Sequence, residues 1–161
     1  MLSLRVGFLI YTMLSIVLVG VSAQSLFKII NSQYRGQAMD DGQAKKLMGF
    51  HIKPDSNNQI WDIQSVGRNK ITIKNVASGL YIGVKGDCDC EVSEPEVISG
   101  ETPYKWHSVL LDGGWSQIAT TDGGEVLFLT GGNDYDPVVL KTASYKGQDS
   151  LWNFKPTSRV P

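Results

Sequence analysis

The sequence predicts an all-β protein built from three copies of one unit of about 46 residues. Trp61, Trp106 and Trp152 are separated by 45 and 46 residues, and each begins a stretch in which apolar and polar residues alternate. Upstream of each tryptophan, a polar turn contains a glycine, and these glycines are 43 and 45 residues apart. They are Gly36, Gly79 and Gly124. Because two independent markers share one period, the repeat indicates three structurally equivalent units.

Each copy contains about four short stretches rich in β-branched residues, bounded by glycine and polar turn residues, and no helical period of useful length. Twelve strands stacked as an open solenoid would leave both sheet edges exposed. Closure into a barrel with threefold pseudosymmetry removes the edges and brings the three tryptophans into a shared core. The predicted fold is therefore a β-trefoil, in which each buried indole N–H donates to a backbone carbonyl.

The N-terminal part of the chain has the pattern of a signal peptide. Arg5 precedes an apolar run from Val6 to Gly20, and the small residues of Val21-Ser22-Ala23 follow. About fifteen apolar residues are too few to span a bilayer, although a retained anchor is the alternative. We expect residues 1–23 to be a signal peptide and residues 24–161 to form one secreted domain without a membrane span.

The charge and cysteine content exclude some classes of function. The expected mature chain carries 14 basic and 16 acidic residues without a basic patch, which argues against nucleic acid as a partner. Cys88 and Cys90 are separated by one residue, so a strained bridge, two free thiols and an intermolecular disulfide all stay open. Neither a metal site nor a cofactor is expected. No nucleophile motif accompanies His51 or His107, and no enzymatic activity is expected.

The first copy contains a motif that resembles a known family. Gln59-Ile60-Trp61 is similar to the Q-x-W signature of ricin-B-type lectin domains, and its context "NNQIW" resembles the β-trefoil lectins of fungi. The opening "FKIINSQYRGQAMDDG" is similar to theirs as well. The resemblance covers residues 24–161, although the other copies have Tyr104-Lys105-Trp106 and Ser150-Leu151-Trp152 in place of Q-x-W. It implies a lectin that binds galactose, N-acetylgalactosamine or lactose-type glycans.

The resemblance also implies a carbohydrate site in the first copy. Asp40, at the end of the second strand, matches the main acceptor of sugar hydroxyls, and Asn58 matches the amide beside the Q-x-W motif. Gln59 is expected to support this pair. Phe50 or His51 is the candidate for stacking on the apolar sugar face, and Gly42 for donating a backbone N–H. A turn role for "DDG" and for the amides is the structural alternative.

The other two copies lack this combination of residues. Counting from the turn glycines places Gly83 and Phe128 where the first copy has Asp40. Copy three contains "NDYD" (Asn133 to Asp136), for which a solvated turn is favoured over a second sugar site or a calcium site.

The rival function is a protease inhibitor or another protein-binding trefoil that uses the long segment from Lys85 to Lys105. The pair Asp40 and Asn58 favours the lectin, because an inhibitor has no need of it. A single shallow site binds sugars weakly, so we expect a homodimer or a clustered glycan to supply avidity.

Overall fold

The computed structural model describes residues 25–42, 46–85, 95–122, 124–142 and 147–158. This part of the chain contains twelve β-strands and three short 3₁₀ turns. Copy one has β1 (Leu26–Asn31), β2 (Gln37–Asp41), β3 (Leu47–His51) and β4 (Trp61–Gly67). Copy two has β5 (Lys70–Asn75), β6 (Tyr81–Val84), β7 (Val97–Gly100) and β8 (Trp106–Leu110). Copy three has β9 (Ser116–Asp122), β10 (Glu125–Thr130), β11 (Val139–Thr142) and β12 (Leu151–Pro156). The 3₁₀ turns are Asn57–Gln59, Asp112–Gly114 and Gln148–Ser150.

The first and last strands of the three copies form a closed antiparallel barrel. Strand β1 pairs with β4 and β12, β5 pairs with β4 and β8, and β9 pairs with β8 and β12. The middle strands form three hairpins, β2–β3, β6–β7 and β10–β11, each attached to the first strand of its own copy. This six-stranded barrel with three hairpins is a β-trefoil, and the predicted fold class is confirmed. Closure leaves the barrel itself without free edges.

The three in-phase tryptophans lie in the core, as predicted. Trp61 and Trp106 are inaccessible to solvent, and Trp152 is almost so. Each indole N–H donates to a backbone carbonyl of the middle hairpin of its own copy, at distances of 3.0, 2.9 and 2.8 Å. The acceptors, in chain order, are the carbonyls of Met39, Ile82 and Leu129. These bonds satisfy the indoles in an apolar core and give a structural alignment of the copies.

That alignment corrects one assignment made from the sequence. The residues after the three acceptors are Asp40, Gly83 and Thr130, so Thr130 and not Phe128 is the copy-three equivalent of Asp40. Counting from Gly124 was wrong because β9 and β10 form a tight hairpin, whose register already pairs positions 122 and 125. The turn glycine therefore lies farther from the acceptor in copy three than in the other copies.

Some predictions fall on residues that the structure does not describe. The signal peptide (1–23), Cys88, Cys90 and most of the charged loop between β6 and β7 (86–94) lie outside the described residues. Within the described ranges, no helix is long and apolar enough to cross a membrane. The same residues contain no group of three or more His, Cys, Asp or Glu side chains that could hold a metal ion.

Candidate functional site

A surface pocket of about 430 Å³ lies at the β2–β3 hairpin of copy one. It is lined by residues from β2, β3, the segment after β3 and the loop between β10 and β11. The lining residues are Asp40, Gly42, Met48, Phe50, Lys53, Ser56, Asn58 and Tyr135. Four of the six site residues predicted from the sequence are thus brought together, and Lys53, Ser56, Met48 and Tyr135 are added.

Asp40 supplies the carboxylate of this pocket. It pairs with Met48 in the β2–β3 hairpin and is only 6% exposed. Burial raises the pKa of Asp40 above its ordinary value, and the neighbouring Asp41 adds to the increase. A side-chain hydrogen bond from Gln59 and the positive charge of Lys53 lower the pKa of Asp40 and offset part of this effect. The Asp40 carboxyl group is thus largely removed from water. In its ionised form it accepts strong hydrogen bonds.

Asp41, the next residue along β2, has a structural role. Its carboxylate accepts hydrogen bonds from the hydroxyls of Ser78 and Ser99, the latter at 2.7 Å. Both serines belong to copy two, so Asp41 joins the copy-one hairpin to its neighbour. Since side chains alternate along a strand, Asp40 and Asp41 lie on opposite faces of the hairpin. Asp41 therefore has a structural role between copies, different from the turn role considered for "DDG", and Asp40 is left to the pocket.

Gln59 is fully buried and supports the site from below. Its Oε1 accepts the N–H of Lys53 at 2.8 Å, and its Nε2 donates to the carbonyl of His51 at 2.9 Å. These contacts connect the 3₁₀ turn to the end of β3, and the neighbouring Gln59 side chain also lowers the pKa of Asp40. A fully buried amide has no surface to offer a ligand, so Gln59 supports the site without contacting a ligand.

Asn58 lies on the exposed side of the same 3₁₀ turn and lines the pocket. The turn is anchored by Asn75 of copy two, whose Nδ2 donates to the Asn58 carbonyl at 2.8 Å. The Oδ1 of Asn75 accepts the N–H groups of Ala77 and Ser78, which fixes its own orientation. The anchoring role of Asn75 was not predicted, because it lies in another copy.

Gly42 also lines the pocket, but its N–H is already donated to the carbonyl of Lys46 at 3.1 Å. The sequence expectation that this N–H serves a ligand is therefore not met by the geometry. An added Cβ at this position would lie 2.4 Å from the Met48 methyl carbon, so a larger residue would displace the Met48 side chain.

The two predicted stacking residues occupy different environments. Phe50 is only 9% exposed, because its ring is covered by three neighbours. The His51 ring lies 4.2 Å away between centroids, the Tyr135 ring lies 4.8 Å away edge-on, and the Lys53 ammonium lies 4.2 Å from the Phe50 centroid. Phe50 thus forms the floor of the pocket. His51 is exposed and faces Asp134 instead, with Nδ1 3.4 Å from the carboxylate, and it does not line the pocket.

The loop between β10 and β11 contributes Tyr135, which the sequence did not place in this site. Its backbone bonds to the edge of β3: the Tyr135 N–H donates to the Gly49 carbonyl at 2.8 Å, and the Gly49 N–H donates to the Asp136 carbonyl at 3.0 Å. Gly49 permits this approach, since an added Cβ would lie 2.9 Å from the Gly132 carbonyl oxygen. The prediction that "NDYD" forms a solvated turn is met, since Asn133 to Asp136 are exposed and the Asp136 N–H donates to the Asn133 carbonyl at 3.0 Å. The same turn also bonds to the edge of β3. No sequence signal marks this contact between copies.

The equivalent positions in the other copies lack the acid and the aromatic ring. In copy two, Gly83 replaces Asp40, and the strand register places Gly100 where copy one has Phe50. In copy three, Thr130 and Lys141 occupy these two positions. The site chemistry of copy one is thus not repeated at the corresponding places of the described chain.

These features define a β-trefoil with a polar and aromatic pocket in copy one, and comparison with known proteins gives the family. Residues 57–142, just over half of the chain, match the family model described as "Ricin-type beta-trefoil lectin domain-like". The chain belongs to this family of ricin-type β-trefoil lectin domains. Membership supports carbohydrate binding as the general class of function. No curated protein matches the chain significantly in sequence.

Solved structures agree on the fold. The chain is similar to a ricin B-like lectin from Macrolepiota procera in complex with lactose, with 22% identity, a TM-score of 0.67 and coverage of 85% of this chain and 99% of that one. The Rhizoctonia solani agglutinin has 19% identity, a TM-score of 0.66 and coverage of 84% and 96%. A designed threefold-symmetric protein, ThreeFoil, has 17% identity, a TM-score of 0.66 and coverage of 82% and 99%.

Proposed function

We propose that this protein is a secreted lectin that reversibly binds galactose- or N-acetylgalactosamine-type glycans through one main site in copy one. The observation that carries the proposal is the meeting of the buried Asp40 carboxylate and the exposed Asn58 in one pocket with an aromatic floor. The lactose bound by the Macrolepiota procera lectin supports the choice of sugar class. The apolar N-terminal pattern of residues 1–23 supports secretion.

The pocket chemistry suits capture of a sugar. Neighbouring hydroxyls of a pyranose donate to Asp40 and exchange hydrogen bonds with Asn58, and each bond to an ionised group contributes about 1.5–3 kcal/mol. The Lys53 ammonium, which lines the same pocket, can donate to a sugar oxygen. The buried position of Asp40 means that a ligand meets the carboxylate already partly desolvated.

The same residues favour binding over hydrolysis. Glycoside hydrolysis commonly uses two carboxyl groups about 5–10 Å apart across the scissile bond. Among the described residues that line the pocket, Asp40 is the one carboxylic acid. The neighbouring Asp41 lies on the opposite face of the hairpin and accepts hydrogen bonds from two serines. We therefore infer a binding protein without catalysis.

We expect weak binding at a single site, with a dissociation constant of about 10⁻³ to 10⁻⁵ M, or about −4 to −7 kcal/mol. A homodimer or a clustered glycan would raise the effective affinity by linking sites.

The test is a glycan array with residues 24–161, the isosteric variant Asp40→Asn, and the control Asp112→Asn. Asp112 is exposed on a 3₁₀ turn and does not line the pocket, so the control makes the same chemical change outside the site. We expect the wild type and the control to bind galactose-containing glycans, with displacement by lactose, and Asp40→Asn to lose most binding. Equal binding by all three proteins would place the site elsewhere, and no binding by the folded wild type would overturn the lectin assignment.

A further inference from the structure

The exposed aromatic ring in the copy-one pocket belongs to Tyr135 of copy three. Neither of the stacking residues expected from copy one provides it. Phe50 is 9% exposed and is covered by His51, Lys53 and Tyr135, so its ring face is not available to a sugar. Tyr135 lines the same pocket and is 68% exposed. A sugar presents an apolar C–H face, and a flat ring exposed beside a hydroxyl acceptor suits it.

Tyr135 is also held in place from both sides. Its N–H donates to Gly49, and the flanking Asp134 accepts the His51 N–H at 2.7 Å through its carboxylate. The Met48 and Pro137 backbones form a β-bridge. The segment from Asp134 to Val138 thus runs along the edge of β3 as an additional short strand-like element, and the position of its tyrosine is determined by the copy-one hairpin.

The backbone of Tyr135 is in a conformation that favours glycine. Its φ is +68°, and a side chain in this left-handed region costs about 1–2 kcal/mol relative to the right-handed one. Such outliers persist where the surrounding structure fixes them, and they are frequent at ligand sites. The contacts with β3 hold Tyr135 in this conformation, and a strained residue fixed in this way is a candidate for ligand contact.

We propose that Tyr135, contributed by copy three, is the residue against which the apolar face of the bound sugar packs, so that the site is shared between two copies. This inference rests on the proposed function and names the stacking residue of that site. Phe50 is then the support of the Tyr135 ring through their edge contact at 4.8 Å, and His51 helps to fix the loop.

The test is titration calorimetry with lactose on the wild type and on Tyr135→Ala, Tyr135→Phe, Tyr135→Gly and Asp40→Asn. Loss of the ring in Tyr135→Ala should weaken binding about three- to tenfold, while Tyr135→Phe, which keeps the ring, should bind within about twofold of the wild type. Tyr135→Gly should lose as much affinity as Tyr135→Ala, yet its thermal midpoint should be equal to or above that of Tyr135→Ala, because glycine tolerates the positive φ.

The outcomes separate the two levels of the argument. If Asp40→Asn abolishes binding and Tyr135→Ala binds like the wild type, the role of Tyr135 is overturned while the copy-one site stands. If Tyr135→Phe loses as much affinity as Tyr135→Ala, the hydroxyl and not the ring face makes the contact, and the stacking role is overturned. Absence of binding by the wild type overturns both proposals.

Discussion

Replacing Gln59 by leucine should destabilise the fold and shift the pH at which sugar binding is lost. The Gln59 amide makes two hydrogen bonds to the backbone: Oε1 accepts the Lys53 N–H at 2.8 Å, and Nε2 donates to the His51 carbonyl at 2.9 Å. Each contributes about 1 kcal/mol net, so the free energy of unfolding should fall by about 2 kcal/mol. For a domain of this size, the thermal midpoint should fall by about 8 °C.

The pH effect of this substitution has a definite sign. The hydrogen bond from Gln59 lowers the pKa of Asp40 against the opposing effect of burial, so its removal should raise that pKa further. Because the ionised carboxylate is the proposed acceptor, binding should fail at a higher pH in Gln59→Leu than in the wild type. The assay combines thermal unfolding with lactose titrations across a pH series.

The control for this experiment is Gln64→Leu. Gln64 is exposed on β4, where its amide donates to Asp62 at 2.9 Å, so the same chemical change should cost little there. A Gln59→Leu variant as stable as Gln64→Leu, with the pH profile of the wild type, would refute the supporting role assigned to the buried amide.

Three further predictions concern the site and the core. Burial raises the folded-state pKa of Asp40, so the contribution of this group to stability is largest at acid pH and is lost as the pH rises through that pKa. Asp40→Asn should therefore be at least as stable as the wild type at pH 7 in thermal unfolding, although it loses binding. Asn75→Ala should weaken lactose binding in calorimetry, because it releases the turn that carries Asn58. Asn31 of copy one makes the equivalent bond to the copy-three turn at Asp149, so Asn31→Ala should cost similar stability and leave the affinity unchanged. Trp106→Phe should lower the free energy of unfolding by about 2–3 kcal/mol in denaturant titrations, since it leaves a buried carbonyl without its donor, and a neutral result would contradict the core role of the indole.

The fold was predictable because its symmetry is written in the order of residues. Tryptophans that fill one core in threefold equivalent positions must recur at the repeat length, and the indole bonds to Met39, Ile82 and Leu129 are the physical reason for that period. Local differences in turn length are not periodic. The tight hairpin between β9 and β10 therefore displaced the copy-three count, which gave Phe128 in place of Thr130.

The site was predictable only where its residues lie within copy one. Asp40 and Asn58 are close to the motifs that mark the repeat, and both line the pocket. Tyr135 could not be placed from the sequence, because its approach depends on the missing side chain of Gly49 and on the edge of β3. The burial of Phe50 likewise depends on that loop and is not visible in an alternating strand pattern.

The most direct test of the central claim is an amide chemical-shift titration of the isotope-labelled protein, residues 24–161, with lactose. We expect saturable shifts that cluster around the copy-one pocket, at the amides of Asp40, Gly42, Asn58 and Tyr135. Shifts that cluster instead around Gly83 in copy two, or no saturable shifts in the folded protein, would contradict it.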